Sequence, residues 1–275
     1  MVNIGESFVA RAHRHYIPGH IWHITHRCHK REFLLKFAKD RHRWLQWLFE
    51  VKKRYGLIIL NYTVTSNHIH LIVYDDSDQD VIPKSIQLLS SRTGQEYNQR
   101  KKRKGAFWED RYHATIIEDG EHLLRCIVYN DMNMVRAGVV EHPGKWMYGG
   151  YNEIQTPRRK CVLIDYEVLM RLAGFNDYSR FQIEHGKWVS VAISEMNLHR
   201  ESQWTQAIAI GSESFLDAIK KKMRSLAIGR SIKQSENCCE LREAALSYNC
   251  DFDAKKSDIE SDNTYFWDKS ILKSE

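Results

Sequence analysis

Two histidines separated by a single residue are the strongest chemical signal in this sequence. The segment His68-Ile69-His70 lies in an apolar run that predicts a β-strand, and alternate residues of a strand face the same side of a sheet. Both imidazoles should therefore leave the sheet together and offer two nitrogen ligands to a metal ion. A purely structural pair of histidines is the alternative interpretation.

A predicted helix downstream supplies the other groups that such a site needs. Residues 121–136 have a helical spacing of apolar side chains, and Tyr129 and Asn133 lie four residues apart on one face of that helix. The amide oxygen of Asn133 can complete the shell of an ion, and Tyr129 can attack a phosphorus atom, helped by a cation such as Arg125. The alternative for a tyrosine on an amphipathic helix is a core position.

The chemistry that these residues favour is phosphoryl transfer through a covalent intermediate. A phosphotyrosine retains the energy of the broken phosphodiester bond, so a second strand end can be joined without ATP. A nuclease that activates water has no need of a tyrosine, and the pattern therefore indicates strand transfer.

Positive charge is concentrated in the first part of the chain. The whole chain carries a formal +6, and residues 1–150 contain 23 Lys and Arg against 16 Asp and Glu. This distribution favours a nucleic-acid partner, with a solvated surface as the alternative. The densest basic run, RKKRK at residues 100–104, is expected to be a loop that follows a phosphate backbone, beside a tryptophan that stacks on a base. The expected DNA contacts are Arg100, Lys101, Lys102, Arg103, Lys104, Trp108, Arg111 and Arg125.

Cysteine and histidine spacing narrows the class of protein. The six cysteines form no C-x-x-C pair, which favours free thiols in a reducing cytosol. No apolar run is long enough to span a membrane and no signal peptide is recognisable, so we expect a cytoplasmic protein without a membrane partner.

A second group of histidines fits no common ligand spacing and is interpreted as surface and sheet residues. This group consists of His13, His15, His20, His23, His26 and His29.

The predicted elements follow the order strand, helix, strand, strand, helix, strand, helix. This order predicts an α+β fold, a ferredoxin-like antiparallel sheet with helices on one face. We place a catalytic domain at residues 1–154 and, after a polar stretch, a mainly helical C-terminal extension with an irregular tail at residues 155–275.

Four stretches then carry a resemblance to a known family over about residues 14–151. They read HIWHITHRCHKREFLL, NYTVTSNHIHLIV, SRTGQEYNQRKKRKGAFWEDRYHATII and IVYNDMNMVRAGVV. In their order and spacing they resemble the single-tyrosine HUH transposases, and more closely the REP-associated tyrosine transposase branch. Two departures are visible, Thr65-Ser66 in place of a Met-Pro pair and Asn133-Met134 in place of Asn-Pro.

The resemblance implies a bacterial transposase with the HUH nuclease fold that cleaves and rejoins single-stranded DNA through a 5′-phosphotyrosine. It implies that His68, His70 and Asn133 hold Mg²⁺ or Mn²⁺, that Tyr129 is the nucleophile, and that the partner is a DNA hairpin of palindromic repeats. Two alternatives stay open: a replication initiator or relaxase with the same chemistry, and a non-catalytic protein that binds DNA hairpins. The sequence leaves open whether the chain is a monomer or a homodimer.

Overall fold

The computed structural model describes residues 17–76, 80–195, 201–235 and 238–243. Within these residues seven strands form one sheet in the order β2-β3-β1-β4-β5-β7-β6. The strands are β1 (His20–Arg27), β2 (Ile58–Val64), β3 (His68–Asp75), β4 (His113–Ile117), β5 (Ala209–Gly211), β6 (Arg230–Ser235) and β7 (Cys238–Glu243).

Local sequence signals mark the ends of several of the described helices. They are α1 (Ala38–Tyr55), α2 (Val81–Lys101), α3 (Glu121–Asp131), α4 (Asn133–Arg136), α5 (Gly150–Gln155), α6 (Tyr166–Ala173), α7 (Tyr178–Ser194), α8 (Gln203–Gln206) and α9 (Glu213–Met223). Helix α1 ends at Gly56, whose φ of 70° closes the helix in a left-handed conformation. The side chains of Asp165 and Ser212 accept hydrogen bonds from the first turns of α6 and α9.

The first four strands and the two helices between them confirm the predicted α+β class. Strands β2, β3, β1 and β4 pair antiparallel, and the chain order β1-α1-β2-β3-α2-β4 is the ferredoxin-like arrangement. Trp44 and Leu48 of α1 are buried in the core that this arrangement encloses. The histidine motif therefore lies on β3, between two neighbouring strands of the sheet.

Helices cover both faces of this sheet, and the expectation of helices on one face is wrong in that respect. Thr25 of β1 pairs with His70 of β3, so their side chains share a face and His26 points to the other one. Ser90 of α2 lies within hydrogen-bond distance of His26, whereas Tyr129 of α3 lies beside His70. The crossover helices α1 and α2 therefore pack on one face, and α3 covers the face that carries the motif.

The described C-terminal part is mainly helical, as expected, and it also adds three strands to the sheet, one of which corrects the expectation of a purely antiparallel sheet. Strand β5 pairs parallel with β4, and β7 and β6 follow on its other side. Trp204 and Leu241 belong to the same buried cluster as Ile24 and Leu71. The division at residue 154 falls within α5 and stays a prediction. The expected irregular tail, about the last 35 residues, lies almost wholly outside the described residues, which end at Glu243.

The predicted helix over residues 121–136 is interrupted. Helix α3 ends at Asp131, Met132 has a φ of −72° and a ψ of −3°, and α4 begins at Asn133. The backbone hydrogen bonds from Met132 to Val128 and from Arg136 to Met132 continue across the break. Tyr129 and Asn133 therefore lie on two successive helical segments rather than on one uninterrupted helix.

Candidate active site

The two motif histidines lie together at the centre of the candidate site. The ring centroids of His68 and His70 are 5.0 Å apart and their planes are inclined by 73°. His70 is 2% exposed, and His68 is half-buried. Because they are the first and third residues of β3, their rings leave the same face of the sheet, as the strand pattern predicts.

The turn that precedes β3 holds the ring of His68. Its Nδ1 lies 2.7 Å from the amide oxygen of Asn67 and 3.0 Å from the hydroxyl of Thr65. The Thr65 hydroxyl also donates to the backbone oxygen of His68, at 2.8 Å. Thr65 stands where the family resemblance implies methionine, so this departure adds a side chain that supports the histidine.

His70 has a partner at each ring nitrogen. Its Nδ1 lies 3.0 Å from Nε2 of His23, and its Nε2 lies 2.9 Å from the amide nitrogen of Asn133. Nδ1 of His23 in turn lies 2.8 Å from the backbone oxygen of Trp204. Burial lowers the pKa of His23 to about 4 and that of His70 well below its ordinary value, so both rings are neutral near pH 7.

His23 is the residue of this cluster that the sequence interpretation missed. It is fully buried on β1 and was expected to be one of the surface and sheet histidines. The alternation within β1 indicates which residues share its face, but only the pairing of β1 with β3 places that face over His70. Two members of that histidine group, His13 and His15, lie outside the described residues.

The donor set of His68, His70 and Asn133 fits a divalent metal ion. Neighbouring donors around an octahedral ion with bonds of about 2.1 Å lie about 3.0 Å apart. The 2.9 Å between Nε2 of His70 and the Asn133 amide matches this spacing, and rotation of the amide by a half turn would present its oxygen. In the described part of the chain no group of three or more His, Cys, Asp or Glu side chains could hold a metal ion, so the amide is needed as a third ligand.

Tyr129 lies beside the histidines under a positive charge. Its ring centroid is 6.2 Å from that of His70, and the residue is 5% exposed. The guanidinium carbon of Arg136 lies 4.0 Å from the Tyr129 ring centroid, and its NH2 group donates to the Tyr129 backbone oxygen at 2.7 Å. Arg125, the expected cation, instead lies near Cys238 of β7. The seven-residue spacing from Tyr129 to Arg136, two helical turns, permits this contact, but the four-residue spacing of Arg125 permits one equally, so helical spacing alone does not select Arg136.

The basic run is divided between a helix end and a loop, so the expectation of a loop over all five residues is wrong. Arg100 and Lys101 form the last turn of α2, where positive side chains are favoured by the helix dipole. Arg100 forms an ion pair with Asp40, and Arg103 lies 3.5 Å from Glu32. Lys101, Lys102 and Lys104 are exposed.

Trp108 and Arg111 lie in the segment that leads into β4. The Trp108 ring stacks on His26 with centroids 4.2 Å apart, and its Nε1 donates to the backbone oxygen of Ser90 at 3.1 Å. These contacts hold the Trp108 ring against the protein. They lie on the face of the sheet opposite the histidine pair. Arg111 is exposed. DNA contact by either residue stays a prediction.

The N-terminal part of the chain is similar to a known protein family. Residues 17–127 match the family model described as "Transposase IS200 like". The matched residues are fewer than half of the chain, and the match agrees with the resemblance that the sequence motifs carry. The match includes both motif histidines and ends two residues before Tyr129.

Two solved structures are similar to this chain at low sequence identity. A REP-associated tyrosine transposase bound to a REP hairpin is 17% identical, with a TM-score of 0.45, over 57% of this chain and 95% of that one. A proposed transposase from Deinococcus radiodurans is 16% identical, with a TM-score of 0.30, over 38% of this chain and 84% of that one. No curated protein matches the chain at a significant level. None of the described helices is both long and apolar enough to cross a membrane.

Proposed function

We propose that this chain is a metal-dependent transposase that cleaves and rejoins single-stranded DNA through a 5′-phosphotyrosine at Tyr129. The observation that carries the proposal is the convergence of Tyr129 and Asn133 on the histidine pair from separate elements of the fold. The branch of REP-associated enzymes, and with it recognition of hairpins of palindromic repeats, rests on the sequence motifs.

In the proposed reaction Tyr129 is the nucleophile. Its oxygen forms a bond to phosphorus, the bond from phosphorus to the 3′ oxygen breaks, and the phenol proton passes to the departing 3′ hydroxyl. A 3′ hydroxyl of the second strand then attacks the phosphotyrosine and restores the free phenol. Arg136 lies over the Tyr129 ring, where its charge stabilises negative charge that develops on the phenol oxygen.

His68, His70 and Asn133 would hold Mg²⁺ or Mn²⁺. When bound, such an ion withdraws negative charge from the scissile phosphate. The buried neutral imidazole of His70 keeps a fixed position because both of its nitrogens are engaged. Fixed ligands of this kind reduce the reorganisation that the reaction requires.

The test is the formation of a covalent adduct between protein and DNA. The full chain is incubated with Mg²⁺ or Mn²⁺ and single-stranded DNA from the flanks of its own gene, and a denaturing gel separates the adduct. Tyr129→Phe keeps the packing of the ring and removes the attacking oxygen, so the adduct should disappear. Tyr74→Phe, a tyrosine at the far end of β3, is the matched control and should retain it.

The alternatives predict different outcomes. A protein that only binds hairpins would form no adduct although it retards the DNA in a native gel. An adduct that persists in Tyr129→Phe would contradict the assignment of the nucleophile, and Tyr97, Tyr112 and Tyr148 would be substituted next. A relaxase or replication initiator would form the adduct, but without a preference for hairpins of palindromic repeats.

A further inference from the structure

A chain of hydrogen bonds from the C-terminal segment reaches the candidate metal ligands. The backbone oxygen of Trp204 lies 2.8 Å from Nδ1 of His23, and Nε2 of His23 lies 3.0 Å from Nδ1 of His70. The planes of the two imidazole rings are nearly parallel, with centroids 5.1 Å apart and an interplanar angle of 15°. Trp204 and His23 are fully buried and His70 nearly so, so this chain is shielded from water.

The direction of each hydrogen bond in this chain follows from its first member. A carbonyl oxygen can only accept, so Nδ1 of His23 carries the proton that is donated to Trp204. A neutral imidazole has one N–H group, so Nε2 of His23 is an acceptor and Nδ1 of His70 is the donor to it. Nε2 of His70 is then left with a lone pair that points to Asn133, which is the form that ligates a metal.

The contact between His70 and Asn133 does not by itself decide which nitrogen of His70 carries the proton. An amide nitrogen can donate to an unprotonated Nε2, and the same amide turned by a half turn can accept from a protonated Nε2. The proton position on His70 is therefore set from the other side of the ring, by the chain that begins at Trp204.

We propose that His23, anchored on the backbone oxygen of Trp204, is a positioning residue that holds His70 as the Nδ1–H tautomer and so presents Nε2 to the metal. This inference rests on the proposed function for the identity of the site. It gives the C-terminal part a role in the chemistry, since Trp204 lies beyond the residues that match the family model. The centroid of the Trp204 ring also lies 6.0 Å from that of the Tyr129 ring, so the same residue lies beside both the proposed nucleophile and His23.

The tautomer can be measured without metal or DNA. Long-range ¹H–¹⁵N correlation spectra of the full chain, labelled with ¹⁵N-histidine in EDTA at pH 7.5, distinguish a protonated Nδ1 from a protonated Nε2. His70→Gln and His23→Gln assign the two sets of signals. We expect both histidines of the wild-type protein as the Nδ1–H form, and a protonated Nε2 on His70 would overturn the proposal.

Substitution of His23 tests the consequence for the metal. His23→Phe keeps an aromatic ring at this buried position and removes both hydrogen bonds. We therefore expect the proton of His70 to move to Nε2 and Mn²⁺ affinity to fall roughly 10- to 100-fold. His23→Gln retains an acceptor oxygen for His70 and a donor for Trp204, and should restore the tautomer and most of the affinity. Binding of Mn²⁺ alone is followed by electron paramagnetic resonance.

His20→Phe is the matched control on the same strand. His20 also has a backbone oxygen as a partner, that of Pro18 at 2.7 Å, but it lies on the other face of β1. Its substitution should leave the His70 tautomer and the Mn²⁺ affinity unchanged. A His23→Phe protein that keeps wild-type affinity, or a His20→Phe protein that loses as much, would overturn the proposal.

Failure of this proposal and failure of the proposed function have different signatures. A wild-type protein with the expected tautomers that forms no adduct with DNA supports the hydrogen-bond chain and contradicts the transposase activity. A wild-type protein that forms the adduct while His70 carries its proton on Nε2 supports the transposase activity and contradicts the proposed series of hydrogen bonds. If His23→Phe does not fold, the wild-type spectrum and His23→Gln still decide the matter.

Discussion

The salt dependence of DNA binding tests the basic run with a magnitude that the structure supplies. Of its five cations, Arg100 pairs with Asp40 and Arg103 lies beside Glu32, whereas the three lysines are exposed. Each cation that neutralises a phosphate of single-stranded DNA contributes about 0.7 to the slope of log affinity against log salt concentration. Replacement of the three lysines by glutamine should therefore flatten the slope by about 2.

This difference is large enough to measure by fluorescence anisotropy. Between 50 and 200 mM salt, a slope smaller by about 2 means that the variant loses about 20-fold less affinity than the wild-type protein does. The full chain and a labelled single-stranded hairpin are used, and the affinity is measured at four or more salt concentrations. Preference for the hairpin over unstructured DNA should persist in part, because shape and base contacts do not depend on the phosphate charge.

The paired arginines provide the matched control. Arg100→Gln with Arg103→Gln removes two cations whose charges are balanced within the protein, so the slope should change little. The same change leaves Asp40, which is 6% exposed, without its partner and should lower the free energy of unfolding by about 1–3 kcal/mol. The reasoning is refuted if the lysine variant keeps the wild-type slope, or if the arginine variant shows the larger change.

Two further predictions concern the metal site and the contact between α3 and α7. His68→Ala or His70→Ala should abolish DNA cleavage in a gel-based assay while folding and DNA binding persist. In the same assay, EDTA should stop cleavage by the wild-type protein until Mg²⁺ or Mn²⁺ is added. Asp131 and His185 form a pair with their side-chain atoms 2.8 Å apart at 0% and 1% exposure, so His185→Ala should lower the free energy of unfolding in a urea titration by roughly 3–5 kcal/mol. Lys187→Ala removes an exposed pair from the same helix and should cost less than about 1 kcal/mol.

Each of these predictions has an outcome that contradicts it. Cleavage that continues undiminished in EDTA would rule out the metal assignment. Unfolding free energies that are equal for His185→Ala and Lys187→Ala would show that the buried pair does not hold α7 against α3.

The local patterns of the sequence were sufficient for the elements that carry the motif residues. A run with a period of two predicts the strand of His68 and His70, and a period of 3.6 predicts the helix of Tyr129, because both patterns depend only on residues that are neighbours in the chain. The same patterns do not reveal the break at Met132, which is a change of one residue's dihedral angles within an otherwise helical pattern. Strand β5 has only three residues, too few to show any periodicity.

The pairing of distant segments decides what the site contains beyond the motif. His23 and His70 are 47 residues apart, and Trp204 is 181 residues from His23, so their contacts depend on strand order and packing rather than on any local pattern. The cation beside Tyr129 was equally undecided, since Arg125 and Arg136 both have helical spacing to it.

The sequence by itself determined the residue types, the two periodicities and the family motifs, which together indicate a histidine pair and a tyrosine nucleophile. The tertiary structure decided which charges are already paired, that helices cover both faces of the sheet, and that a backbone oxygen of the C-terminal part reaches the candidate metal ligands through His23. The physical reason is that hydrogen bonds and ion pairs need atoms within about 3 Å, and only the folded arrangement of the sheet brings groups this far apart in the chain to that distance.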